Sequence, residues 1–294
     1  MNTLFRIVAI VTLAAVLTAC GVRSAYNNLD WLIMRWVNDQ VSLSSDQDRT
    51  LRQTLDQQLR WHCASELPEY ATFLGRVKAD VTNEQINVER MSAHAQSLAT
   101  FALRLVEETR PAMIELLASL DDDQIDDLLA GFAERNEEMV EKSIDVSDQQ
   151  RRQDQVRGME RGMRRFVGRL TGEQRQRLEQ WAEELQPTAE VNFQQRRQWQ
   201  ERFATALEQR HDLDVLANEL EPLLTPGADW TDAYRERMEY NRERTIEALV
   251  DVHRMAPERQ VNRLRSRLDS LASDFDRLSC APPPGMAMQT ADQQ

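Results

Sequence analysis

The sequence predicts an all-α protein, a multi-helix bundle or an elongated helical array of amphipathic helices. Three observations carry this. Leu, Glu, Gln, Arg and Ala are abundant while Val, Ile and Tyr are scarce, and only nine glycines and nine prolines interrupt 294 residues, a balance that sums to helix. Apolar residues recur in steps of three and four, and no stretch alternates convincingly with the strand period. A helix-start signal also recurs: an apolar residue, a capping residue, two mostly polar positions and a glutamine.

The first element is not part of that fold. One basic side chain, Arg6, precedes an almost wholly apolar run from Ile7 to Ala19, the pattern of a signal peptide over 1–19. It is shorter than the roughly 20 apolar residues a comfortable membrane span needs. It ends in Leu17-Thr18-Ala19-Cys20, which resembles the bacterial lipobox: a Leu, two small residues, and the cysteine that is diacylated before cleavage. On that reading Cys20 is the lipidation site and the first mature residue, and the partner of the N-terminus is a membrane. Two or three acyl chains hold firmly where one holds marginally. Removing the segment takes away Arg6 alone among charged side chains, so the formal charge of -13 becomes -14. Such an acidic balance argues against nucleic acid and gives no net pull toward anionic lipid.

The mature chain reads as one all-helical domain over 20–280, with a subdomain hinge near 145–170 as one reading of its middle. Leu29, Leu32, Ile33, Trp36 and Val37 form a stripe that starts within ten residues of Cys20. Its polar face has Asp30 and Asp39 against Arg35 alone, so a core helix is favoured over an interfacial one. Helix starts are read at Ser44 to Gln47, Thr82 to Gln85, Asp121 to Gln124 and Thr171 to Gln174, each a capping box in which the glutamine reaches back to the N-cap amide. Val81 with Ile86 and Leu120 with Ile125 supply hydrophobic staples. The aspartates at 121–123 favour the positive end of a helix over a calcium loop, which would need a turn glycine and a closing glutamate.

Between these starts, Leu51, Leu55 and Leu59 line one helix, and Pro68 marks a break or the first turn of the next. Met91, His94, Leu98, Phe101 and Leu105 put His94 on an apolar face, and Arg110-Pro111 interrupts that pattern. Ile125, Leu128 and Phe132 continue it. Leu178, Trp181 and Leu185, then Trp199, Phe203 and Leu207, then Leu213, Leu216 and Leu220 extend it through the second half, followed by Trp230 and Tyr234. The last helix has the cleanest seam, Val261, Leu264, Leu268, Leu271, Phe275 and Leu278; it is under three full heptads, which favours packing within the chain. The Pro-, Met- and Gln-containing tail over 281–294 reads as disordered.

The segment from Gln149 to Arg169 is basic, with seven arginines. It is read as a solvated helix face or hinge in preference to a docking face for an acidic or phosphate-bearing partner. With Cys20 lipidated, Cys63 and Cys280 remain. Even parity outside the reducing cytosol leaves two readings open, a disulfide or two unrelated buried thiols. A metal site of His62, Cys63 and Cys280 lacks a nearby fourth ligand, and His62, His94, His211 and His253 do not pair at ligand spacing. No G-x-S-x-G, H-E-x-x-H or phosphate-binding glycine loop is present, and no carboxylate pair stands out among so many acids. The sequence therefore presents no catalytic residue, no cofactor or metal site and no small-molecule substrate, and the expectation is a protein that is not an enzyme.

Tyr26-Asn27-Asn28-Leu29-Asp30-Trp31-Leu32-Ile33, Trp61-His62, Glu66-Leu67-Pro68-Glu69-Tyr70 with Phe73-Leu74, and Gly168-Arg169-Leu170-Thr171 with Gln174 together resemble a family of uncharacterised proteobacterial lipoproteins built around one domain of unknown function. The resemblance covers nearly the whole mature chain. It implies a lipid-anchored, all-helical cell-envelope protein and brings no activity with it; besides the membrane, an envelope protein is the kind of partner expected. In that family a basic residue more often follows the Trp-His pair, so a Cys63–Cys280 bridge would be particular to this chain. Gly21 implies the outer membrane, since inner-membrane retention in such bacteria usually uses aspartate there. Leu170-Thr171-Gly172-Glu173-Gln174 also resembles the L-T-x-x-Q motif of periplasmic helical chaperones of the Spy and CpxP type, although the same string is simply a good helix start.

Overall fold

The computed structural model describes residues 21–144 and 146–280. The signal segment, Cys20 and the tail over 281–294 lie outside the described residues. Within them the chain is helical throughout, with short connections and no strand. Helix α1 (Gly21–Tyr26) turns into α2 (Leu29–Asn38). Helix α3 (Ser45–Trp61) runs through one π-helical turn (His62–Glu66) directly into α4 (Leu67–Thr82). There follow α5 (Val88–Ala118), α6 (Asp122–Met139) with a second π-turn (Val140–Ile144), and α7 (Asp148–Val167). The second half comprises α8 (Gly172–Glu184), α9 (Ala189–Glu208), α10 (Leu213–Leu224), α11 (Asp232–Arg254) and α12 (Glu258–Leu278).

Apolar faces sort these helices into two lobes. In the first, Val37 of α2, Ile114 at the end of α5, Ile125 and Leu128 of α6, Trp199 and Phe203 of α9, and Leu216, Leu220 and Leu223 of α10 form one continuous cluster. The Trp199 and Phe203 rings stack at 4.8 Å, and the Trp199 indole N–H donates to the Leu223 carbonyl at 2.9 Å. The second lobe is assembled from several smaller clusters. Helix α12 lies along α4, burying Leu271 and Phe275 against Leu67, Ala71 and Val22, and its earlier residue Leu268 meets Val81 and Val250. Its seam is therefore satisfied within the chain. Helices α7, α8 and α11 close the remaining side through Met159, Leu178, Trp181 and Val252. The long α5 spans both lobes.

Three of the four capping boxes form, at Ser44, Asp121 and Thr171, and they do more than cap. Gln47 and Gln124 face each other: Gln47 Nε2 donates to Gln124 Oε1 at 3.0 Å, and Gln124 Nε2 to Gln47 Oε1 at 2.8 Å. Each amide also donates to a carbonyl leading into the other's helix, Ser119 at 2.7 Å and Ser42 at 2.6 Å. The same device recurs between α8 and α12. Gln174 Nε2 donates to Gln260 Oε1 at 2.8 Å and Gln260 Nε2 to Gln174 Oε1 at 3.1 Å, with Gln260 reaching the Arg169 carbonyl at 2.8 Å. Ser42 and Arg169 each stand two residues before the N-cap of their box. A primary amide has two donors and two acceptor sites, so these pairs lock two helix starts together while satisfying buried polar atoms.

Several expectations are corrected. Thr82 is not an N-cap but the last residue of α4. Glu84 takes the left-handed conformation at φ 55 and Gln85 N–H donates to the Asp80 carbonyl at 2.9 Å, the Schellman closure of a helix C-terminus. The apolar face of α4 on α12 carries the helix through Thr82, and Asn87 caps α5 by accepting from Arg90 N–H. Pro111 does not interrupt α5, which continues through it; the Thr109 hydroxyl donates to the Leu105 carbonyl at 2.7 Å in the turn that the proline loosens. Of the two readings of Pro68, the first turn of the next helix holds: it sits at the start of α4 without a break. On α2, Val37 is buried and Ile33 and Trp36 pack against the core as the stripe expects, but Leu32 is exposed and Met34, outside the stripe, is buried. Leu98 and Leu213, read as core positions, are about half exposed.

Candidate functional site

The π-turn between α3 and α4 gathers the densest set of chemically distinctive side chains. Inserting a residue into a helical turn shifts the register of the residues after it, and such turns concentrate at special sites. Here His62 and Glu66 become buried, and Cys63 turns toward Cys280. Cys63 and Cys280 are disulfide-bonded with Cα atoms 5.4 Å apart, and Cys280 N–H donates to the Cys63 carbonyl at 3.2 Å. The bond fastens the residue just past α12 to the joint of α3 and α4.

His62 receives the other end of the described chain. Its Nδ1 lies 3.0 Å from the Tyr26 hydroxyl of α1, and the two rings stack at 5.6 Å. Tyr70 meets His62 edge-on at 5.6 Å and continues to Phe101 at 4.9 Å and Phe275 at 5.8 Å. Phe73 extends the series from Phe101 to His94. Glu66 is held by Arg104 of α5 at 2.9 Å. Burial pushes His62 down to about 4 and Tyr26 up to about 12. Burial, and then the neighbouring Glu66 charge, raise Tyr70 further. Arg104 is raised chiefly by its hydrogen bond to Glu66. At neutral pH the cluster is therefore an uncharged His–Tyr–Tyr core beside one Arg–Glu pair.

His62 Nε2 is buried with no hydrogen-bond partner among the described residues. Tyr26 also lines a partly open cleft of about 260 Å³, with Asp30, Met34, Arg52 and Asp56, and His62 is not among its lining residues. The imidazole is thus walled in. A closed aromatic–polar knot of this kind orders elements; a general base needs access to a substrate proton.

Of the residues singled out from the sequence, Cys63 and Cys280 are brought together, and His62 adjoins them. His94 is elsewhere, its Nε2 2.9 Å from buried Asp80. Asp121 is the α6 N-cap, as its position suggests, and buried Arg210 binds the Leu120 carbonyl at 2.9 Å and pairs with Asp122. Among the described residues no three His, Cys, Asp or Glu side chains converge on a point where a metal could sit. Tyr26, Glu66, Tyr70 and Arg104 were not legible as a unit; the only signal was the Trp61-His62 and Glu66 to Tyr70 strings. Gln260 was missed because its N-cap, Pro257, has no side-chain oxygen to advertise a box.

The chain belongs to a family of unknown function, DUF6279, which matches residues 39–235. No curated protein and no solved structure matches it. The family match encloses the π-turn, the Gln47–Gln124 lock and Gln174, but neither α1 nor Cys280.

Proposed function

We propose that this is a lipid-anchored bacterial cell-envelope lipoprotein, acylated on Cys20, with a non-enzymatic structural or protein-interaction role. The observation that carries the reading is the Leu17-Thr18-Ala19-Cys20 tetrad at the end of an apolar run too short to span. The body supports it in one respect: folding begins at once, with Val22 already buried in the second lobe, so Cys20 fastens the domain to lipid without a flexible tether. Gly21 favours the outer membrane, facing the periplasm. A disulfide closing a loop of 217 residues suits a compartment outside the reducing cytosol. The non-enzymatic role rests on the closed character of the π-turn. The chaperone resemblance is the weaker reading, because Gln47, Gln124 and Gln174 are fully engaged in helix locks.

Intact mass and membrane fractionation of the native protein beside a Cys20→Ala variant test the anchor. Acylation with membrane retention of the wild type, and loss of both in the variant, is the expected result. A soluble, unacylated wild type rejects it. Crosslinking of the anchored protein in intact envelopes then reads the role: a discrete protein adduct supports interaction, whereas capture of many unfolded clients favours the chaperone.

A further inference from the structure

In this acidic chain, α7 and its exit carry a local excess of positive charge. At 100° per residue, Arg157, Arg161, Arg164 and Arg165 share one outward arc of α7, opposite the Val156, Met159, Met163 and Val167 stripe that packs inward. Arg161, Arg164, Arg165 and Arg169 are exposed. The helix's own acids are taken, Asp148 by Arg151, Asp154 by Arg157 and Glu160 by Arg175. The four exposed guanidinium groups have no ion pair among the described residues. On the flank of this arc, a Cβ at Gly158 or Gly162 would meet no atom within 4 Å.

The position of this face matters as much as its charge. Phe166, next to Arg165, packs into the same apolar cluster as Val22, and Val22 is the second residue after Cys20. Val22 and the end of α7 thus belong to one cluster of the second lobe, so an acyl anchor on Cys20 would bring that lobe, and with it the arginine-bearing end of α7, toward the leaflet.

We propose that Arg161, Arg164, Arg165 and Arg169 form a docking surface for the anionic lipid headgroups of the leaflet that holds the anchor. The proposal rests on the reading of Cys20 as acylated. Charge complementarity selects the ligand, and the exit point of the chain selects its source: an acidic protein would have to enter the gap between body and leaflet. The same field repels the remainder of a body whose formal charge is -14 once Arg6 is removed with the signal segment. Basic face toward lipid and acidic faces away is thus the orientation both terms favour.

The test uses the full-length protein carrying a fluorescent label on Gly162→Cys, a position where the new side chain has open space. It is reconstituted in phosphatidylcholine vesicles, or in an equal mixture of phosphatidylcholine and phosphatidylglycerol. Collisional quenching by a water-soluble quencher should fall several-fold on the mixed vesicles, and the protection should vanish at high salt. It should also vanish in the Arg161→Gln/Arg164→Gln/Arg165→Gln/Arg169→Gln variant, each arginine contributing about fivefold to partition. Unchanged far-ultraviolet circular dichroism of that variant establishes that it folds. Equal quenching on both vesicles overturns the proposal and leaves the face to an acidic protein. Equal protection by inorganic phosphate on neutral vesicles overturns it in favour of a free-phosphate site. Intact mass of the same sample keeps the two readings apart: an unacylated Cys20 rejects the anchor, and the labelled chain added to preformed vesicles still reads the face.

Discussion

The two lobes solve the same problem with different means. The first is closed by one large apolar cluster in which Leu216 and Leu220 are wholly buried. The second divides its apolar contacts among smaller clusters and adds a disulfide, a buried His–Tyr cluster and an Arg–Glu pair at the π-turn. Apolar burial is non-directional and suffices where helices meet broadly. Where the first and last described helices must be held against a joint in mid-chain, covalent and directional contacts take over. That lobe also holds Val22, already buried at the start of the described chain.

The largest expected difference between the lobes comes from removing the bridge. Cys63→Ser with Cys280→Ser opens a 217-residue loop, worth about 5 kcal/mol in the chain-entropy treatment. Guanidinium unfolding should show that loss, and reducing agent should reproduce it in the wild type with no effect on the double variant. In the first lobe, Leu220→Ala removes a side chain that is 0% exposed, at a cost of about 3 kcal/mol. That loss should be the same with the bridge intact or reduced; a dependence on redox state would mean that the core of the first lobe is energetically coupled to the bridge.

Acid should discriminate them as well. His62 titrates near 6.5 when unfolded and is held down to about 4 when folded. Between those values the unfolded chain binds the extra proton, so stability present above pH 6.5 is lost as pH falls toward 4, by about 3 kcal/mol in total. His253 is lowered too, by burial and then by Arg265, so it adds to the same slope. His62→Phe should flatten most of that slope, measured by thermal unfolding at a series of pH values. The smallest contrast is between the two glutamine locks. Gln174 and Gln260 are 1% and 2% exposed whereas Gln47 is only half-buried. Gln174→Ala should therefore cost about 2 kcal/mol and Gln47→Ala about 1, because a deeply buried amide leaves its partner unsatisfied.

The legible part of this fold was periodic or local. The α12 seam, the α9 stripe of Trp199, Phe203 and Leu207, and the boxes at Ser44, Asp121 and Thr171 are written in adjacent turns and could be read there. Thr82 misled because a Thr-x-x-Gln string is equally compatible with a helix end once tertiary contacts hold Leu67 to Val81 on α12. Pro111 and Leu98 misled for the same reason: local rules describe an isolated helix, and α5 is held by contacts at both of its ends. The site was less legible. His62 and Cys63 stood out by type, yet their partners Tyr26, Tyr70 and Cys280 come from three separate parts of the chain. The pairing of Gln174 with Gln260 spans 86 residues, and no local pattern encodes which helix start meets which.

Native-state hydrogen exchange, followed by peptide mass with the bridge intact and then reduced, measures the division of labour most directly. Reduction should raise exchange in α1, around the π-turn and in α12, while α6, α9 and α10 keep their protection. A uniform rise across both lobes would contradict the view that the bridge and the aromatic knot tie only the lobe that holds both ends of the described chain.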